Sequence, residues 1–277
     1  RGARGYHRRM PQSPSSLNRG LSELGGALIE RPASWLRVLR FAGVALVTAL
    51  SPSAWDATMR RAAAEQLHFS AWQPLPGFTL AAALLSYVMM LILEGAARGY
   101  GLSQYAPAMI MRVVLLELIP LGAALFVALR SGAAINTEVA LRHIRGDFET
   151  LARMGQDPLR HDLVPRAIGA VVAVMLLTSL SSAVALVIAY VSLYGFSPWA
   201  LEGFARVTGQ VFGPVAVAGY ALKTLLFGAA VAAIPITAAL AVPREREMAP
   251  IAVLRGMVRL GIAIAVIEGG FLAVLYT

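Results

Sequence analysis

The chain contains no cysteine and a single lysine, Lys223, and only 14% of its 277 residues are charged. The lack of cysteine excludes disulfides, thiolate nucleophiles and thiolate metal sites. The shortage of charge excludes a soluble domain, in which about a quarter of residues are charged. Histidine is scarce too, and His7, His68, His143 and His161 form no pair at helical metal-ligand spacing. No serine sits in a nucleophile elbow. Leu222-Lys223-Thr224 carries leucine where a phosphate-binding loop requires glycine, inside an apolar run. Neither a catalytic site nor a metal site is expected, so the chain reads as a non-enzyme without a cofactor of its own.

What is abundant is apolar surface: 58% of residues are hydrophobic, and the mean hydropathy is +0.67. This is the composition of an integral membrane protein. The positive charge is carried almost entirely by arginine, in the first twenty residues and beside apolar runs. Basic flanks of this kind mark the cytoplasmic side of membrane proteins. No basic run is interleaved with aromatics, so nucleic-acid binding is not expected.

Residues 1–20 read as a basic disordered tail and residues 21–70 as interfacial helices. The apolar run 41–50 is too short to cross a core about 30 Å thick at about 1.5 Å per residue, so it should lie in the interface or enter and return. Residues 55–69, with Arg60, Arg61, Glu65 and His68, read as a second surface helix. A five-span membrane domain then fills residues 71–277. Its spans are expected at 75–93, within 106–129, at 167–193, at 215–242 and at 257–276, with a Gly-rich exit over 94–105 and an amphipathic segment over 199–212. The arginines between spans two and three (Arg130, Arg142, Arg145, Arg153, Arg160, Arg166) and between spans four and five (Arg244, Arg246) place those loops and the N-terminus in the cytoplasm. The C-terminus then falls outside.

Two groups of residues carry the functional expectations. Glu117, Lys223 and Glu268 are charges inside apolar spans, where a charge costs about 2.5 to 3.5 kcal/mol on insertion scales. They line a polar path, form a structural ion pair, or snorkel to an interface; Glu268, near the end of its helix, fits the interface best. In the second group, Leu141, Ile144, Phe148 and Leu151 recur at helical spacing opposite Arg142, Arg145, Asp147, Glu149 and Arg153. A helix over 138–156 with such a stripe docks on a partner or packs on its own protein. Gly261, Ala265 and Gly269, four apart, form a small-residue face suited to helix packing or dimerisation.

From residue 115 onward the sequence resembles the MlaE/YrbE permease family, the membrane subunits of ABC transporters that work with MCE proteins. The matching residues are Leu116-Glu117-Leu118 with Pro120, Arg130-Ser131-Gly132-Ala133-Ala134, Thr137-Glu138, Gly155-Gln156-Asp157-Pro158-Leu159 with Pro165-Arg166, and Lys223-Thr224 with Phe227-Gly228. Ile119 and Leu129 stand where the family carries glycine. The resemblance implies an all-α membrane fold with an N-terminal interfacial or re-entrant helix, five transmembrane helices and a cytoplasmic coupling helix between spans two and three. It also implies the function: a permease moving phospholipid or a related lipid between a bacterial inner membrane and a periplasmic MCE protein. ATP and Mg would be held by a separate ABC ATPase, and a second permease copy would complete a homodimer or heterodimer. Glu117, Arg130 and Lys223 would be the polar membrane positions. Glu138, Leu141, Ile144, Phe148, Leu151 and Asp157 would couple to the ATPase. A non-transporting scaffold that anchors partner proteins is the alternative reading.

Overall fold

The computed structural model describes residues 32–242 and 249–276. The expected basic tail, residues 21–31 and the arginine-bearing loop 243–247 lie outside the described residues. Among those described, all regular structure is helical: α1 (Pro32–Leu50), α2 (Ala57–Gly99), α3 (Ser103–Arg145), α4 (Asp147–Arg153), α5 (Leu159–Tyr194), α6 (Leu201–Val211), α7 (Pro214–Leu240) and α8 (Ala249–Tyr276). Five of these, α2, α3, α5, α7 and α8, are long and apolar enough to cross a membrane. Short connections make consecutive spans antiparallel, which gathers Arg142, Arg160 and Arg166 at one end, hereafter the Arg-rich end.

Several helices run past the lengths read from hydropathy. Residues 55–69 are not a separate surface helix. Ala57–Leu67 leads through a π-helical turn, His68–Trp72, directly into the first span. The supposed exit over 94–105 stays helical to Gly99, because Gly95 and Gly99 weaken a helix without stopping it. The single helix expected over 138–156 is two pieces. Gly146, at φ 81°, ends α3 in the left-handed conformation that glycine adopts without a Cβ penalty, and α4 restarts at a new angle.

The α5 helix is the central post, packed on α2, α3 and α7. It comes close to α7 at Gly228, where an added Cβ would lie 2.9 Å from the Val171 Cα; a small residue is what lets two backbones come this near in a membrane. Gly261 and Gly269 behave differently. A Cβ on either would meet nothing within 4 Å, so that small-residue face does not pack inside the chain. One apolar core, around Phe227, Leu177 and Ile236, fills the Arg-rich half, and a second, around Met90, Ile110 and Phe204, fills the other.

The α1 helix lies at the Arg-rich end against α7 and α5. It buries Val38, Phe41 and Ala45 and exposes Leu36, Leu39, Val47 and Leu50 on the other side. In α2 only 11% of the most apolar window is buried within the protein. Flanks this bare and apolar require an apolar surrounding. The chain is a multi-pass membrane protein.

Candidate functional site

The structure gathers the three intramembrane charges into one site. Pro120 follows a π-helical stretch of α3, Met111–Leu118, which carries Glu117. Such wide turns recur at functional positions in helices. Pro120 has no amide to offer the Leu116 carbonyl one turn earlier. That oxygen instead accepts from Lys223 Nζ at 3.3 Å. The same ammonium donates to Glu117 Oε2 and lies 2.7 Å from Glu268 Oε2. Lys223 is 2% exposed, and both carboxylate side chains are 13% exposed. One ammonium held between two carboxylates therefore joins α3, α7 and α8.

Depth explains why these residues meet. Lys223 lies nine residues from the start of α7 and Glu268 eight from the end of α8. At about 1.5 Å per residue both are about 12 to 14 Å below the end opposite the Arg-rich one. Beside them a small cleft is lined by Glu117, Gly219, Tyr220, Lys223 and Phe271. Glu268 is thus not the interfacial carboxylate its place near a helix end implied: it shares Lys223 with Glu117. The sequence signal for it is the matched depth of the two charges on neighbouring antiparallel helices.

Arg130 is not part of this cluster. It sits 13 residues further along α3, about 20 Å away, on a second π-helical turn, Ala128–Gly132. There it donates to Gln73 Oε1 at 2.9 Å and its guanidinium lies 5.1 Å from the Phe69 ring centre. It clasps α3 to the π-helical turn of α2.

At the Arg-rich end Glu138 receives two bonds from Arg166, at 2.6 and 2.8 Å, and one ion pair from Arg142 at 3.0 Å. Asp162 accepts from both arginines. This four-residue network ties the end of α3 to the start of α5. Arg160 adds a bond to the Ser53 carbonyl at 2.7 Å. Nearby, Asp56 caps α2 by accepting from the Met59 amide at 2.7 Å. That bond, aided by His161 and Arg160, holds the Asp56 carboxyl below its ordinary value despite partial desolvation.

The expected coupling stripe splits between two fates. Leu141 and the half-buried Ile144 flank the end of α3, Leu141 at 38% exposure. Phe148 is buried in the protein's own core, and Leu151 packs partly against it. The break at Gly146 turns the second half of the stripe inward. Asp157 is exposed and accepts from the Leu159 amide at 3.0 Å, which starts α5.

Among the described residues no cluster of His, Asp and Glu has metal-binding geometry. In comparison with known proteins, the family described as Permease MlaE matches residues 63–274. No curated protein matches the chain.

Proposed function

Because the chain belongs to the MlaE permease family, a family of permease subunits of ABC lipid transporters, we propose that it moves phospholipid or a related lipid between a bacterial inner membrane and a periplasmic MCE-domain protein, driven by a separate ATPase. In this reading the Arg-rich end faces the cytoplasm, as the arginine bias favours. The ATPase docks on the tip formed by Leu141, Ile144 and α4, and a second permease copy completes the membrane unit.

The observation that carries this reading is α3 itself. One continuous helix holds both the tip network at Glu138 and the buried triad at Glu117. The two carboxylates are 21 residues apart, or about 32 Å. A displacement of the tip by nucleotide-driven closure of the ATPases is passed along this helix, with the π-helical turns at Ala128–Gly132 and Met111–Leu118 as its yielding points. At the far end it shifts Glu117 against Lys223 and Glu268, which opens or closes the cleft beside them. The triad gives lipid headgroups a polar wall, with its one ammonium shared between the two carboxylates.

The test is reconstitution of the chain with its ATPase and MCE-domain partner in liposomes, following a fluorescent phospholipid. ATP-dependent transfer is expected, and Glu117→Ala or Lys223→Ala should lose it with the complex still assembled. Retention of full transfer in both variants would favour a scaffold, and failure of any ATPase to bind would sink the coupling assignment.

A further inference from the structure

A second cavity, of about 350 Å³, lies at the Arg-rich end between α1 and α7. It is distant from the triad, and none of the residues discussed for coupling lines it. Arg37 and Arg40, one turn apart on α1, stand at it together with Phe41 and Val44. Positions 37, 40, 41 and 44 share one helix face by their spacing. Across from them are Thr237 and Leu240 at the end of α7. The Thr237 hydroxyl is engaged within its own helix, donating to the Ala233 carbonyl at 2.7 Å. The cavity therefore has an apolar body, and its charge comes from the two guanidiniums, neither of which is paired with a carboxylate among the described residues.

We infer that this groove holds an anionic phospholipid of the surrounding bilayer, its phosphate between Arg37 and Arg40 and an acyl chain along Phe41, Val44 and Leu240. The volume falls within the 300 to 1,000 Å³ range typical of small-molecule sites. Its location fits too. The other side of α1 exposes Leu36, Leu39, Val47 and Leu50, which sets the helix among lipid tails, while its arginines lie level with the ends of α7 and α5, where headgroups are found. Basic pockets between membrane helices on the arginine-rich side recognise acidic headgroups. The planar guanidinium also matches phosphate geometry better than an ammonium does. A lipid bound here fastens α1 to α7 and is not cargo, so the assignment stands apart from the transport reading.

The full-length chain in non-ionic detergent, titrated with dioleoyl phosphatidylglycerol or dioleoyl phosphatidylcholine and read by native mass spectrometry, tests it. About a thirty-fold preference for the anionic lipid is expected, from about 1 kcal/mol for each arginine at 1.4 kcal/mol per tenfold. Arg37→Gln with Arg40→Gln should reduce this to near parity, and Leu240→Trp should weaken both lipids by filling the groove. Inorganic phosphate at millimolar concentration should not displace the lipid. A photoactivatable phosphatidylglycerol on the unmodified protein should label residues 37–44 and 237–241, which keeps the test decisive if a variant fails to fold. Labelling confined to other helices, a double variant that keeps its preference, or displacement by free phosphate overturns the assignment.

Discussion

Replacing Lys223 with methionine should destabilise the protein far more than removing either of its carboxylate partners. The substitution keeps the length of the side chain and deletes its charge. It leaves Glu117 and Glu268, each 13% exposed, facing one another with no ammonium between them, and takes a donor from the Leu116 carbonyl. Breaking a buried pair in this way costs about 3 to 5 kcal/mol, because a charge is stranded in a poorly solvated site. Glu268→Gln behaves differently. It leaves the Lys223–Glu117 pair matched one to one and should cost no more than about 1 kcal/mol, the worth of a typical hydrogen bond. Glu117→Gln should act similarly.

The decisive comparison is the triple variant Glu117→Gln, Lys223→Met, Glu268→Gln. With no charge left to compensate, it should recover to within about 1 kcal/mol of the parent, since neutral replacements of buried ion pairs are often tolerated. Equilibrium unfolding in mixed detergent micelles measures all four proteins. The pattern wanted is strong non-additivity, the triple being much milder than the lysine change alone. If Lys223→Met costs no more than Glu268→Gln, or if the triple is as unstable as the sum of its parts, the three groups do not form one electrostatic unit. Lipid transfer by the triple separates stability from path: a protein that folds well and moves no lipid assigns the charges to transport.

Gly228→Ala should cost about 1 to 3 kcal/mol by pressing on Val171, as overpacking does, whereas Gly219→Ala, which meets nothing within 4 Å, should stay within about 0.5 kcal/mol of the parent in the same unfolding assay. Phe148→Ala should lose about 3 kcal/mol from the core, while Leu141→Ser should leave stability unchanged and weaken ATPase co-purification; the reverse pattern would place the partner face on the wrong half of the stripe. Arg166→Gln should cost about 1 to 2 kcal/mol, a value kept small by the half-exposed Glu138, and Arg166→Lys should restore less than half of it because an ammonium cannot make both bonds to the carboxylate. Asp56→Asn should flatten the acid side of the stability–pH curve: a carboxyl held below its ordinary value stabilises the fold above the usual aspartate range and loses that contribution as pH falls through its folded value. Unfolding midpoints at pH 7 and at a series of pH values below the ordinary aspartate range read this directly.

The five crossings were legible because hydrophobic length against bilayer thickness is nearly sufficient to find them. Their true extents were not. Outside the hydrocarbon nothing in the residue pattern marks where a helix leaves lipid and merely continues in water, so α2 and α3 each run to 43 residues. The 138–156 helix failed at Gly146, whose place in a polar stretch just after Arg142, His143 and Arg145 is a helix-stop pattern. Reading the apolar stripe as continuous hid it, and with it the inward turn of Phe148. Glu117 and Lys223 stood out as charges in apolar runs, but their meeting depended on which helices are neighbours. That is a tertiary fact, and it also rescued Glu268 from the interface. Arg130 showed the opposite limit: polar residues on one helix can lie about 20 Å apart and serve different contacts.

The triad also fixes an order of events during synthesis. Glu117 enters the membrane 106 residues before the lysine that will neutralise it, and at about 5 to 20 residues per second it waits about 5 to 20 s for that partner. Through that interval α3 carries an uncompensated carboxylate worth about 2.5 to 3.5 kcal/mol against insertion, whereas α2, without an internal charge from residue 75 to 93, can settle alone. Stable residence of α3 in the bilayer is therefore a late event, completed when α7 arrives, and a nascent chain truncated before Lys223 should be a substrate for membrane quality control.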